Sequence, residues 1–288
     1  MNSHFIRALT TLALCCAIVL FAVSCAPVTD EPSAPTDRES TDQPQPALTA
    51  PDDLTVILHA GGAIDGMTYL NAQESFLIYY EQGYRYFEYD FTLSTDGRLI
   101  GTHDGEHLGD CDPFCMTYAE FCELRLDGGY TPVNEEWLID TLRQYPDVKI
   151  VVDAKMPTTE QDAEVLIRLE ALESVCGIDL SSNIIPEVFS AEMWDVLCKH
   201  TTFDQYMFSQ YKVYYTVDTM LEHFSDDRIR GIALSTYVDR DIRSELWRVQ
   251  QADKEIWVFT CLDGQDVADA IAMGASGVYV DSPDVLSQ

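Results

Sequence analysis

Short runs of apolar, β-favouring residues alternate along this chain with longer segments in which apolar positions recur every three or four residues. The first pattern predicts strands over residues 54–58, 84–91, 98–102, 148–154, 183–189, 205–208, 231–234, 255–260 and 277–280. The second predicts helices over 71–82, 135–145, 158–175, 191–200, 213–224, 241–252 and 265–273. Gly83 is a stop signal for the first helix, and Thr158 with Gln161 has the spacing of a capping box at the start of the third. Strands separated by helices argue for a parallel sheet wrapped by helices. The nine candidate strands exceed the eight of a (β/α)8 barrel by one. Thr95-Asp96-Gly97 joins the second and third with no helix between them, so that pair reads as a hairpin added to a barrel. The expected fold is a TIM-type (β/α)8 barrel spanning residues 52–288, with a small insertion over about 105–132, where periodicity is lost. A doubly wound open sheet is the alternative, but no glycine-rich phosphate loop of the required form follows the first strand.

Polar residues interrupt the apolar pattern at one recurring place. His59 ends the first strand, Glu88 and Asp90 lie late in the second, His103 ends the third, and Asp153 and Lys155 end the fourth. In barrels of this kind the reacting groups sit at the C-terminal ends of the strands. Successive side chains of a strand point to opposite faces, so Phe87, Tyr89 and Phe91 share one side while Glu88 and Asp90 share the other. Val151, Asp153 and Lys155 likewise share a face. Each residue alone has an ordinary explanation: a structural histidine, the wet face of an edge strand, a surface ion pair. All of those explanations would have to hold at once, on successive strands and at the same end. Glu88, Asp90 and Asp153 converging in a partly dry mouth would repel, and a hard divalent cation, Ca2+ or Mg2+ rather than zinc, relieves such repulsion. That leaves His59 and His103 free for proton transfer near neutral pH.

Composition narrows the partners. The 288 residues carry a net charge of −32, which repels nucleic acid and anionic surfaces and argues against a polynucleotide partner. A phosphate ligand would need a local cation. At the N-terminus Arg7 precedes an apolar stretch, Leu9 to Val23, which is shorter than a spanning helix, and Ala22-Val23-Ser24-Cys25 follows. Small residues before a cysteine resemble the lipobox of bacterial lipoproteins, although Ala22 stands where Leu is usual. The expectation is a lipoprotein signal over 1–24, a lipid anchor at Cys25, and a Pro-, Thr- and Ser-rich linker over 25–51 that tethers the domain outside a bacterial cell membrane. Ordinary signal cleavage and a retained short anchor are the alternatives. Six of the nine cysteines fall in the folded part. In an exported protein they point to disulfides, with Cys111, Cys115 and Cys122 close enough to cross-link one loop. A zinc site built from those three and His107, or free buried thiols, are the other readings.

The ordered set His59-Ala60-Gly61, Asn71 with Phe76, Phe87-Glu88-Tyr89-Asp90, Thr95-Asp96-Gly97 and His103-Asp104 resembles the signature of the glycerophosphodiester phosphodiesterases. The likeness continues through Val151-Val152-Asp153-Ala154-Lys155, Trp257-Val258-Phe259-Thr260, and the stretch from Gly274 to Pro283, so it covers about residues 54–286. The resemblance implies a barrel of the phosphodiesterase and phosphatidylinositol phospholipase C-like kind. It also implies metal-dependent hydrolysis of a small glycerophosphodiester to glycerol phosphate and an alcohol. Carried over by position, Glu88, Asp90 and Asp153 bind the metal, His59 and His103 act as general acid and base, and Lys155 holds the phosphate. Three positions depart from the family pattern. Ala60 stands where an arginine is usual, Leu70 where a glutamate precedes the asparagine, and Asp153 where a glutamate is usual. Glu74, one helical turn beyond, is a candidate to stand in for the glutamate missing at position 70. These departures point to a divergent branch with a different head group or alcohol. A binding lipoprotein that has lost catalysis and a metal-dependent phospholipase of the same fold are the competing readings.

Overall fold

The computed structural model describes residues 53–109 and 111–287. The signal segment, the linker and the Cys25 anchor lie outside the described residues. Nine strands form one sheet: β1 (Thr55–Leu58), β2 (Tyr86–Leu93), β3 (Leu99–Gly101), β4 (Lys149–Ala154), β5 (Ile184–Val188), β6 (Tyr206–Ser209), β7 (Ile229–Ser235), β8 (Glu255–Cys261) and β9 (Gly277–Val280). Their order is β1-β9-β8-β7-β6-β5-β4-β2-β3, and β1 also pairs with β2, which closes eight parallel strands into a barrel. That closure excludes the open doubly wound sheet. The ninth strand, β3, is antiparallel to β2 and lies outside the ring, as the Thr95-Asp96-Gly97 turn requires.

The helices follow the apolar periodicity, with their ends set by caps. Thr158, Asn134, Ser190 and Asp263 each accept a backbone N–H at the start of α4 (Thr159–Cys176), α3 (Glu135–Gln144), α5 (Ala191–His200) and α9 (Gly264–Ala272). Three helices differ from the sequence pattern, the one expected over 213–224 starting only at Val217, after its Thr216 cap, as α6 (Val217–His223). The helix expected from residue 71 begins at Gln73, as α1 (Gln73–Glu81), because Asn71 is left-handed at φ 53°. The segment expected over 241–252 splits into α7 (Arg240–Arg243) and α8 (Leu246–Gln251). Among the described residues no helix is long and apolar enough to cross a membrane.

Three cores result. The largest lies between barrel and helices and takes in the outward face of β2, Phe87, Tyr89 and Phe91. A second belongs to the insertion, where Leu108, Met116, Tyr118, Phe121 and Leu126 meet Ile64, Leu70 and Ile100. The third is the plug inside the barrel: Ile57, Val151, Ile185, Met207, Ala233, Trp257 and Tyr279, with Tyr86 and Phe259 against it. Two residues further along the same strands stand His59, Glu88, Asp153, Glu187, Ser209 and Phe259, which all line one cavity. The two-residue period of a strand therefore stacks a polar mouth directly on an apolar plug.

The barrel wall is tight where β7 meets β8. A Cβ added to Gly231 would lie 2.2 Å from the backbone oxygen of Glu255, and backbone has no room to yield without parting the two strands. Gly231→Ala is expected to lower stability by about 1–3 kcal/mol. The check is a lower urea midpoint with an unchanged denaturant slope.

Candidate active site

The mouth of the barrel holds a cavity of about 180 Å3 lined by residues from most of the strands. Its floor is acidic. Glu88, Asp90 and Asp153 are buried, at 2 %, 1 % and 8 % exposure, and each places a carboxylate oxygen within 4.8 Å of the others. The edge-strand reading of Glu88 and Asp90 fails because β2 is flanked by β1 and β4. Asp90 is clamped by Asn71, whose Nδ2 donates to Oδ2 at 2.8 Å while its Oδ1 accepts from the Asp90 N–H at 2.9 Å. The left-handed turn at Asn71 is what turns its amide inward.

Glu88 accepts from the N–H of Ala60 at 2.7 Å through Oε2, while its Oε1 is buried with no hydrogen-bond partner. Ala60 is itself left-handed, at φ 47°. The chain can follow this path because Gly61 comes next, at φ 81°, where an added Cβ would lie 2.6 Å from the Tyr89 ring.

One ammonium answers these charges. Lys155 Nζ lies 2.6 Å from Asp153 Oδ2 and 3.3 Å from Asp90 Oδ1, and donates to Tyr211 Oη at 3.1 Å. Tyr211 in turn donates to Asp153 Oδ1 at 3.0 Å. Burial disfavours the ammonium, but Asp153 and Asp90 outweigh it and raise its pKa well above the ordinary lysine value. Burial also works against ionising Asp90, yet Lys155, His103, His59 and Asn71 prevail and hold its carboxyl below the usual range. Glu88 goes the other way, pushed well above that range by burial and by Asp90 and Asp153. The donor set is all oxygen and anionic, and it includes an orphaned buried carboxylate oxygen. It fits a hard divalent cation such as Ca2+ or Mg2+.

Both histidines expected from the sequence reach this cavity. His59 Nδ1 is 2.7 Å from Asp281 Oδ1, and its Nε2 is 4.0 Å from Glu88 Oε2. A carboxylate can only accept, so Asp281 keeps the proton on Nδ1 and presents Nε2 to the cavity. His103, two residues past β3, has Nδ1 3.3 Å from Asp104 Oδ2. Between them stands Tyr69, whose ring meets His59 edge-on at 4.6 Å and His103 at 5.2 Å between centroids.

Four residues of the site escaped the sequence reading of its chemistry. Asp281 directly follows β9 as His59 follows β1, a position that could have marked it. Glu187 is an acid inside an otherwise apolar strand, accepting from Tyr279 Oη at 2.7 Å. Tyr69 and Tyr211 lie on loops and gave no periodic signal. Glu74 does not replace the glutamate missing at position 70: its carboxylate accepts the Thr131 N–H at 3.0 Å, and Leu70 is buried in the core of the insertion. The cysteines do not cross-link, since Cys111, Cys115, Cys122, Cys176, Cys198 and Cys261 are all free thiols. Nor do Cys111, Cys115, Cys122 and His107 form a zinc site. His107 is 3.1 Å from Asp127 and 2.9 Å from the Thr68 carbonyl, Cys115 is 3.3 Å from Asp112, and the one possible metal cluster among the described residues is Glu88, Asp90 and Asp153.

At the level of sequence the chain matches no protein-family model and no curated protein. Solved structures are similar over most of its length. A glycerophosphodiester phosphodiesterase from Parabacteroides distasonis is 19 % identical with a TM-score of 0.65, covering 81 % of this chain and 94 % of that one. This chain has the glycerophosphodiester phosphodiesterase fold. An Oleispira antarctica phosphodiesterase, in complex with its product sn-glycerol-3-phosphate, is 17 % identical with a TM-score of 0.65, covering 81 % and 95 %. The Thermotoga maritima glycerophosphodiester phosphodiesterase is 18 % identical with a TM-score of 0.61, covering 79 % and 94 %.

Glu187 yields a pH test of the buried floor. Burial, with Asp153 nearby, pushes its carboxyl up to about 8, above an unfolded value of 4.5. The protonated form therefore stabilises the fold fully below 4.5, and that contribution is lost as pH rises through 8. Glu187→Gln keeps an acceptor for Tyr279 without the ionisation. It is expected to gain stability over the parent by a few kcal/mol, on the order of 1.4 per pKa unit, as pH rises from 5 towards 9, read from urea midpoints across that range.

Proposed function

We propose that this protein is a divergent glycerophosphodiester phosphodiesterase that hydrolyses a glycerophosphodiester to glycerol phosphate and an alcohol with Ca2+ or Mg2+. The observation that carries the reading is the meeting of two histidines with the buried Glu88, Asp90 and Asp153 cluster at one cavity of this fold. Glu88, Asp90 and Asp153 would hold the cation, whose chemistry when bound is to polarise the phosphoryl oxygens and offset developing charge. Lys155 lies at the edge of that cluster, where its ammonium can also reach a phosphate oxygen.

The protein's own groups handle the protons. With Asp281 on Nδ1, the Nε2 of His59 is set to accept or return a proton inside the cavity. His103 sits across the Tyr69 ring as the second proton carrier. One histidine relieves the attacking hydroxyl, from water or from the substrate's glycerol, and the other protonates the departing alkoxide. The N-terminal segment fits export and lipid anchoring at Cys25 on the outer side of a bacterial cell membrane. Cys25→Ala is then expected to shift the protein from the membrane to the soluble fraction.

A second reading has one observation in its favour. Ala60 brings no cation to the phosphate, and among the described residues lining the cavity Lys155 is the only lysine or arginine. Binding without turnover would follow, seen as calorimetric uptake of a phosphorylated ligand with no product over hours.

The deciding assay supplies purified protein lacking Cys25 with glycerophosphodiesters and Ca2+ or Mg2+, then adds chelator. Release of glycerol phosphate that stops with chelator is expected. Cation-independent release would remove the metal from the proposal, and no release would remove the activity. His59→Ala and His103→Ala are each expected to lower kcat by about 100- to 10,000-fold with an unchanged thermal midpoint. Full activity in either variant excludes that histidine from proton transfer.

A further inference from the structure

Tyr69 is held in the left-handed region, at φ 60°. For a bulky side chain this is an outlier that persists only when its surroundings over-determine it, and such outliers cluster at functional sites. Here both neighbours are fixed. The Thr68 carbonyl accepts from His107 Nε2 at 2.9 Å, and Leu70 is buried in the core of the insertion. Asn71, next again, is locked to Asp90. The outcome is a phenol wedged edge-on between the two imidazoles and lining the cavity.

A phosphodiester brings two unesterified oxygens that need donors. Most donors of the cavity are already engaged by carboxylates. Lys155 spans Asp153 and Asp90, Tyr211 donates to Asp153, and Tyr279 donates to Glu187. The N–H of Ala60 is on Glu88, and its methyl group offers nothing. Tyr69 is the phenol of this cavity with no hydrogen bond to a carboxylate among the described residues.

We propose that Tyr69 is a phosphate-binding residue, its O–H donating to an unesterified oxygen of the ligand and doing with a neutral group what Ala60 leaves undone. The inference rests on the phosphodiesterase reading and adds to it a residue outside the expected set. Recognition by a neutral donor has a physical reason here. Glu88, Asp153 and Glu187 line this space, with Asp90 and Asp281 directly behind Lys155 and His59, and a second flexible cation would pair with them before it met a ligand, whereas a phenol pinned between two rings cannot swing to them.

Tyr69→Phe in the full-length chain with Mg2+ is the test, because it keeps the ring between the imidazoles and removes one oxygen. Calorimetric titration with sn-glycerol 3-phosphate and with inorganic phosphate is expected to give affinities about 10- to 100-fold weaker than the parent's, the range for losing a hydrogen bond to a charged group. KM for a diester should rise while kcat changes less. A ring that merely spaces the imidazoles would show the reverse split, with kcat lowered and phosphate affinity intact, and that result overturns the proposal, as do equal constants for variant and parent. A parent that binds phosphate through Tyr69 but splits no diester leaves this inference standing and removes the phosphodiesterase reading. Turnover that is indifferent to Tyr69→Phe removes the inference alone. A parent that binds neither ligand overturns both.

Discussion

Repulsion among Glu88, Asp90 and Asp153 is the constraint to which the rest of the mouth answers. Isolated ionised carboxylates are costly to bury, and three within reach of one another are worse. The fold meets the cost in three ways: an Asn71 clamp, a backbone N–H from Ala60, and the Lys155 ammonium. Part of the cost stays unmet, for Glu88 Oε1 is buried without a partner and burial with Asp90 and Asp153 pushes the Glu88 carboxyl upward, toward its neutral form. A site that keeps an orphaned buried carboxyl oxygen has given up stability that an apolar floor would have kept. Such a loss is the signature of a place arranged for a ligand.

The same constraint accounts for the backbone around it. Ala60, Asp65, Tyr69 and Asn71 all take positive φ without being glycine, within one connection between β1 and α1. Two of these turns aim a polar group at a buried carboxylate, Ala60 its N–H and Asn71 its amide, and Tyr69 enters the cavity between the histidines. The small core of the insertion, anchored by Leu70, Leu108 and Phe121, holds this connection in place. The insertion therefore supports the site from behind, through the connection that it packs against.

Much of this architecture was legible before any coordinates. The alternation of strands and helices, and the hairpin at Thr95-Asp96-Gly97, foretold a barrel with one extra strand. The two-residue period of β2 sorted Phe87, Tyr89 and Phe91 from Glu88 and Asp90, and the structure sends the two sets to opposite faces. Position at strand ends picked out His59, His103 and Asp153 for the same physical reason. The misses share a cause as well. Asp281 directly follows β9 and Glu187 lies in β5, both far along the chain, and Tyr69 and Tyr211 sit on irregular loops. Glu74 was close in sequence to the needed place, but its carboxylate is held by the Thr131 N–H.

The sequence by itself determined which faces are apolar, how many strands the chain forms and at which end its acids and histidines gather, because strand and helix periods are local properties of the chain. Tertiary structure alone decided that Asp281 would reach His59, that Lys155 would settle between two carboxylates, and that a strained tyrosine would part the imidazoles. Those contacts join segments up to 222 residues apart. They depend on barrel closure and loop geometry, which no local pattern encodes.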